Sequence, residues 1–216
     1  DRHGGSAVDY TVNCAVGFPD TTGDPADAEP VNHLLPAWDN ITGQMAAVAV
    51  LAAERHRRLQ GEGQFVSLAL KDVALATIGH LGNIAEVTIN DVDREKCGNY
   101  LYGGFGRDFL TRDGKRIMVV GLTRRQWQGI VAATGIGDGV HALGSSHNVD
   151  LSLEGERFKL RHAIAALMEP WFAAHPYAEA VAKLDAHSVC HGPYQTFREV
   201  VATDPDCSTA NPLFQQ

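Results

Sequence analysis

Asp39 is the residue of this sequence with the most chemical content, because it stands at the head of a long run of helix formers, Asn40 to Arg58, that ends at Gly61-Glu62-Gly63. Two readings place it in the same spot. As a helix cap it accepts a backbone N–H of the first turn, although Thr42 stands where a capping box has Glu or Gln. As a nucleophile it is a carboxylate that the positive end of the helix dipole favours in its charged form, with the N–H groups of Asn40 and Ile41 close by to receive an oxyanion. A carboxylate so placed can attack an activated acyl group and form a covalent intermediate.

Other candidates are weaker. His33, six residues before Asp39, is either a loop histidine or a second group in the same pocket. Gly103-Gly104-Phe105-Gly106, after Tyr102, falls short of a dinucleotide-binding fingerprint; it reads as a plain turn or as a glycine loop that closes over a reactive intermediate. His191 in Cys190-His191-Gly192-Pro193 reads as structural. The ten histidines form no pattern with ligand spacing, so no metal site is expected, and no Gly-x-Ser-x-Gly elbow supports a hydrolase triad. Cys14, Cys97, Cys190 and Cys207 form no Cys-x-x-Cys pair and read as reduced thiols of a cytoplasmic protein. Arg55-His56-Arg57-Arg58 is either a helix end whose cations face the negative pole of the dipole or a phosphate contact.

The elements that must hold these residues suit a globular protein of 216 residues, 44% of them apolar. A formal charge of -8 argues against nucleic acid as a partner. The longest apolar run, Met45 to Ala53, is far shorter than the roughly 20 residues a membrane helix needs. The start, Asp1-Arg2-His3-Gly4-Gly5, has neither an initiator Met nor a signal core, and a chain truncated at both ends is expected. Scattered Gly and Pro make residues 1–38 a long loop; 40–58 reads as a buried helix, Gln64 to Leu70 as a short strand, and Lys71 to Val87 as a helix. Strand between helices predicts an α/β layer. A charged linker, 90–97, separates residues 1–89 from 98–190, and 191–216 begins a return toward the first part. Beyond the linker, 108–111 and 116–122 flank Asp113-Gly114 as a hairpin, and Thr123 caps a helix, Arg124 to Thr134, stopped by Gly135. Helices follow at Glu156 to Ala174 and Tyr177 to His187, then a loop, Ser188 to Pro193, and a last helix, Gln195 to Thr203.

The run Val31-Asn32-His33-Leu34-Leu35-Pro36-Ala37-Trp38-Asp39, with Thr42-Gly43-Gln44, Leu51 to Arg58 and Gly61-Glu62-Gly63-Gln64, resembles the CaiB/BaiF family of class III coenzyme A transferases. Lys71 to Leu75, the glycine segment, Gln126-Trp127 and Cys190 to Tyr194 extend the resemblance over essentially the whole chain; Leu59-Gln60 departs from the usual Arg/Lys-Thr. The resemblance implies part of a large Rossmann-like domain with the catalytic helix, a smaller α+β domain, and an interlocked homodimer when complete. It also implies Asp39 as the catalytic carboxylate, with CoA carried as the substrate and no other cofactor or metal. Within the family, Gly98 to Phe109, Val8 to Asn13 and Asp204 to Thr209 resemble members that move CoA between the C1 and C4 carboxyls of 2-methylfumaryl-CoA (mesaconyl-CoA) through an aspartyl-CoA thioester. The residue before Asp9 is Val8, where racemases of the family carry an acid/base His. The alternatives are an intermolecular transferase that uses a separate acid acceptor, and a non-catalytic fragment that only binds or associates.

Overall fold

The computed structural model describes residues 6–214; Asp1 to Gly5, on which the reading of the chain's start rests, lie outside the described residues. The chain forms two compact units, one through Gly98 and one from Asn99 onward.

The first unit is helical: α1 (Asp9–Ala15), α2 (Phe18–Thr21), α3 (Ala37–Gln60), α4 (Leu70–His80) and α5 (Asn83–Asn90). The expected long loop over 1–38 is therefore interrupted by two short helices. Neither has a long apolar period to announce it. The first is begun by the Thr11 hydroxyl, which accepts the Val8 N–H at 3.0 Å, and it is held by burial of one face against α3 and α4. α3 closes as expected: Gly61 at φ 76° ends it, its N–H reaching the Arg57 carbonyl at 2.9 Å.

Three expectations for this unit are corrected. The residues from Gln64 to Ala69 form no strand; they are exposed and have no ladder partner among the described residues, and alternation without a neighbouring strand does not make one. The helix expected over 71–87 is two helices, parted at Leu81-Gly82, where Gly82 takes φ 83°. The apolar middle of α3 is mostly exposed even though the helix packs on α1 and α4: among the described residues Trp38 is its one buried side chain, while Leu51 remains 69% exposed.

The second unit holds a three-stranded antiparallel sheet, β1 (Phe105–Leu110), β2 (Arg116–Gly121) and β3 (Cys190–Pro193), in that order. Phe109 pairs with Ile117 and Val119 with His191. The hairpin turn is the expected one; Thr111 N–H reaches the Lys115 carbonyl at 2.8 Å and Gly114 sits at φ 78°. The expected loop over 188–193 is corrected to β3, whose Gly192 and Pro193 hide a strand made by pairing with β2. Among the described residues six α-helices and a closing 3-10 turn, Pro212–Phe214, complete the unit: α6 (Arg124–Thr134), α7 (Gly137–His147), α8 (Glu154–Lys159), α9 (Arg161–Ala174), α10 (Tyr177–Ala186) and α11 (Phe197–Thr203). α6 has a full capping box, Thr123 Oγ1 accepting Gln126 N–H at 3.2 Å and Gln126 Oε1 accepting Thr123 N–H at 2.9 Å. α7 was hidden by its glycines, and the single helix expected over 156–174 breaks at Leu160.

One face of the sheet carries Phe105, Phe109, Ile117 and Val119 into a core with Trp127, Ile130, Ile164, Met168 and Phe172, the Phe109 and Phe172 rings stacking at 4.4 Å. Arg157 is fully buried beside this core. Its guanidinium donates to the carbonyls of Leu151 (3.2 Å), Ser152 (2.8 Å), Gly121 (3.4 Å) and Leu122 (2.5 Å), and its carbon centre lies 5.5 Å from the Trp127 ring centroid. Backbone dipoles thus replace a carboxylate, joining the end of β2 to the 151–152 turn. Arg157→Met strands these carbonyls, and we expect a loss of about 3 kcal/mol or more in chemical denaturation, well beyond the cost of a surface substitution.

On the opposite face, Asp108 is 3% exposed and its carboxylate accepts from Asn99 Nδ2 at 3.0 Å and from Arg116. Burial pushes the carboxyl up, but the Asn99 and Arg116 hydrogen bonds and the Arg116 charge outweigh it and hold the group below its ordinary 3.8. A depressed folded-state pKa stabilises the fold above the unfolded value and loses that contribution as pH falls through the folded value. The gap in unfolding midpoint between wild type and Asp108→Asn should therefore be constant from neutral pH to about 4.5 and close below it.

Candidate functional site

The site is built where α1 meets the head of α3. Asp9 and Asn13, four apart and so on one face of α1, are each 1% exposed, and both turn toward α3. The Asp9 carboxylate accepts the backbone N–H of Trp38 (2.6 Å) and of Asp39 (3.1 Å) on Oδ2, and its Oδ1 lies 2.7 Å from His33 Nε2. A carboxylate has no proton to give, so the His33 Nε2–H donates. Asn13 Oδ1 accepts the Trp38 indole N–H at 3.1 Å, and Asn13 Nδ2 donates to Asn32 Oδ1 at 2.6 Å. The Trp38 ring is buried with Val12 and Ala74, tilted against Phe18 at 5.5 Å. Helix, loop and indole are thereby locked to one another.

Asp39 is not the N-cap. Pro36 occupies that position and Asp39 is the third helical residue, its role as acceptor for the first turn taken over by Asp9. The Asp39 side chain is left exposed, with no hydrogen bond or ion pair among the described residues. The expected oxyanion donors are also corrected. Asn40 N–H is bound to the Pro36 carbonyl at 3.2 Å, and Ile41, inside the helix, spends its N–H on the helical ladder. With Ala37 N–H on the Leu35 carbonyl at 2.7 Å, the first turn of α3 has no backbone donor to spare. One turn beyond Asp39, the Thr42 hydroxyl is shielded from solvent without a hydrogen-bond partner.

His33 shares this network rather than facing the Asp39 carboxylate: it is joined to the Asp39 backbone through Asp9, and its ring stands edge-on to Tyr10 at 6.0 Å. Tyr102, Gly103, Gly104 and Gly106 lie in the second unit. There the glycine segment is a turn closed by Leu101 N–H on the Gly106 carbonyl at 2.8 Å, with Gly103 at φ 78° in open space and Gly106 already in β1. A Cβ on Gly106 would meet Val120 Cγ2 at 3.1 Å and Leu101 Cβ at 3.2 Å, so a larger residue there needs these neighbours to give by a few tenths of an ångström. The Tyr102 ring packs edge-on against Phe158 at 4.9 Å. In the basic cluster, Arg57 and Arg58 both bind Glu54, at 2.6 and 2.7 Å, close to the negative pole of α3. His191 Nε2 lies 2.9 Å from Asp185 Oδ1. Among the described residues no group of three or more His, Cys, Asp or Glu is placed to hold a metal, and no helix is long and apolar enough to cross a membrane.

Asp9 and Asn13 were not found as site residues by reading the sequence. The resemblance passes through Val8 to Asn13 without giving either residue a role, and a polar pair at a spacing of four carries meaning only once the segment is known to be helical.

The profile of CoA-transferase family III matches residues 2–214. Over 213 residues the chain is 60% identical to 2-methylfumaryl-CoA isomerase of Chloroflexus aurantiacus, which covers 99% of this chain and 52% of that protein. A shorter stretch, 75 residues or 35% of the chain, is 36% identical to succinate–glutarate CoA-transferase of Agrobacterium fabrum, covering 18% of it. Among solved structures, a CAIB/BAIF family protein of Brucella suis superposes with a TM-score of 0.68 at 22% identity, covering 94% of this chain and 51% of that one. A hypothetical protein of Mycobacterium tuberculosis gives 0.73 at 22% identity, over 94% and 52%. The chain belongs to CoA-transferase family III and has the CaiB/BaiF fold. It spans about half the length of the Chloroflexus relative.

Trp38→Phe keeps the buried ring but leaves the buried Asn13 Oδ1 without its donor. We expect it to lower stability by about 1–3 kcal/mol in urea titration, more than a ring-for-ring exchange in an apolar pocket would.

Proposed function

We propose that this chain carries the nucleophile of an intramolecular CoA transferase that acts on 2-methylfumaryl-CoA, and that Asp39 is that nucleophile. The observation that carries the reading is the 60% identity to a 2-methylfumaryl-CoA isomerase over 99% of the chain. The unpartnered, exposed Asp39 carboxylate on the locked first turn of α3 supports it.

In this mechanism the Asp39 carboxylate attacks the C1 thioester carbonyl; the C–S bond breaks, CoA leaves as the thiolate, and a mixed anhydride forms. The thiolate then attacks the Asp39 acyl carbon, giving the aspartyl-CoA thioester and expelling the diacid as a free carboxylate. The C4 carboxylate of the retained diacid attacks that thioester, and the returning thiolate ends on C4, regenerating the Asp39 carboxylate. Atoms balance without any co-reactant, so CoA enters as substrate and the proposal calls for no metal or other cofactor. Holding the diacid in place makes the second transfer effectively intramolecular. Because the first turn of α3 has no spare backbone donors, oxyanion stabilisation falls to groups outside it. The same reading makes the complete protein a cytoplasmic homodimer, and the exposed apolar side chains of α3, Val48, Val50 and Leu51 among them, support association.

The segment of 36% identity to a transferase that uses two separate acids favours the intermolecular alternative. Turnover of 2-methylfumaryl-CoA by the full-length protein in the presence of labelled free mesaconate separates the two. The intramolecular reading predicts product CoA ester without label, and Asp39→Ala should lose on the order of 1,000-fold or more in kcat. Label in the product at the turnover rate would establish an external acceptor, and normal turnover by Asp39→Ala would remove this residue from the chemistry.

A further inference from the structure

We propose that Asp9 is a positioning residue for Asp39, and that His33 keeps Asp9 in the orientation this requires; the proposal rests on Asp39 being the nucleophile. A carboxyl group at 1% exposure needs hydrogen-bond partners in place of its water, and Asp9 has three: His33 Nε2 at 2.7 Å, Trp38 N–H at 2.6 Å and Asp39 N–H at 3.1 Å. One of the three is the backbone of the nucleophile itself and another is the residue before it.

Stability alone gives little reason for this arrangement, since a buried charged network is rarely better than apolar packing of the same volume. What the network does provide is a fixed reference for the Asp39 backbone. The N–H of Asp39 is held from a residue 30 positions earlier in the chain, and the Trp38 side chain is held from Asn13, one turn along the same helix. Rotation or fraying of the first turn of α3 would break both bonds at once. The two N–H groups taken by Asp9 are also the ones that a free helix start would offer to an anion. Asp9 therefore closes the helix start to the substrate's carboxylate and leaves the Asp39 side chain as the reactive group of that turn.

Both Asp9 oxygens are used, and the two sides differ in kind. Oδ2 meets only backbone donors, which cannot be removed by substitution of Trp38 or Asp39; Oδ1 meets only His33. Asn at position 9 can preserve the geometry: its Oδ1 accepts both N–H groups, and its Nδ2 donates to His33 Nε2 when the ring carries its proton on Nδ1. Ala cannot.

The test is steady-state kinetics of the full-length protein with 2-methylfumaryl-CoA, for Asp9→Ala, Asp9→Asn, His33→Phe and Asp39→Ala, each normalised to the folded fraction by near-ultraviolet circular dichroism. The expected result is a loss of about 100-fold in kcat for Asp9→Ala with KM within about threefold of wild type, because misplacing a reacting atom by an ångström costs about that much. Asp9→Asn should recover at least tenfold of the loss, and His33→Phe, which removes only the outer donor and keeps the protein testable if Asp9→Ala does not fold, should lower kcat by about fivefold to twentyfold. A purely structural Asp9 lowers the folded fraction and leaves kcat per folded site at the wild-type value. That result, in folded Asp9→Ala or in His33→Phe, overturns the proposal. Asp39→Ala keeps the outcomes apart: if it turns over normally the nucleophile reading fails, whereas if it is inactive and the Asp9 and His33 variants are not, the positioning proposal alone fails.

Discussion

A carboxylate removed from water has to be given donors, and the way Asp9 is given them organises the whole head of α3. Its partners are two backbone N–H groups and a histidine, all contributed by residues at least 24 positions away in the sequence. Satisfying them fixes α1 against α3, draws the loop carrying Asn32 and His33 over the junction, and seats the Trp38 indole between Val12 and Ala74. The α1 helix is too short to persist by itself, and tertiary packing of its buried face supplies what propensity does not. The consequence for chemistry is that Asp39 is presented on a turn whose backbone donors are all committed and whose side chain is not.

The loop between α2 and α3 is held by similar means. Lys96 donates to the Asp27 carbonyl at 2.9 Å and to that of Glu29, and Gly98 N–H reaches the Gly23 carbonyl at 2.9 Å. The segment read from the sequence as a charged linker is thus, through Lys96, a strap over the loop that leads to the site. In the second unit Asp113 plays a comparable part, taking the Thr111 hydroxyl at 2.7 Å and the Tyr177 N–H at 2.9 Å, so that one turn residue both shapes the hairpin and starts α10. In each case a single polar side chain replaces water at the end of an element and sets where the next element begins.

What was legible in the sequence follows this division between local and distant causes. The Thr123/Gln126 box, the Gly135 stop and the Asp113-Gly114 hairpin are complete within a few residues, and each stands where the sequence puts it. β3 was illegible because Gly192 and Pro193 argue against a strand and only the β2 ladder makes one. The converse error, a strand expected at 64–70, came from an alternation that has no neighbouring strand to meet. The family was legible from the residues around Asp39, and so was Asp39 itself as a candidate; the Asp9–Asn13 face was not, because the meaning of both residues depends on a helix 20 to 30 residues downstream. The assignment of Asn40 and Ile41 as oxyanion donors failed for the same reason: a helix start looks open until the residue that closes it is located.

The most direct test of the account is to incubate the full-length protein with 2-methylfumaryl-CoA, quench with hydroxylamine, and map modified carboxylates by mass spectrometry. The account predicts a hydroxamate at Asp39, formed only in the presence of the CoA ester, because hydroxylamine intercepts both the anhydride and the aspartyl-CoA thioester. An unmodified Asp39 in protein that turns over substrate normally, or modification at a different carboxylate, would contradict it.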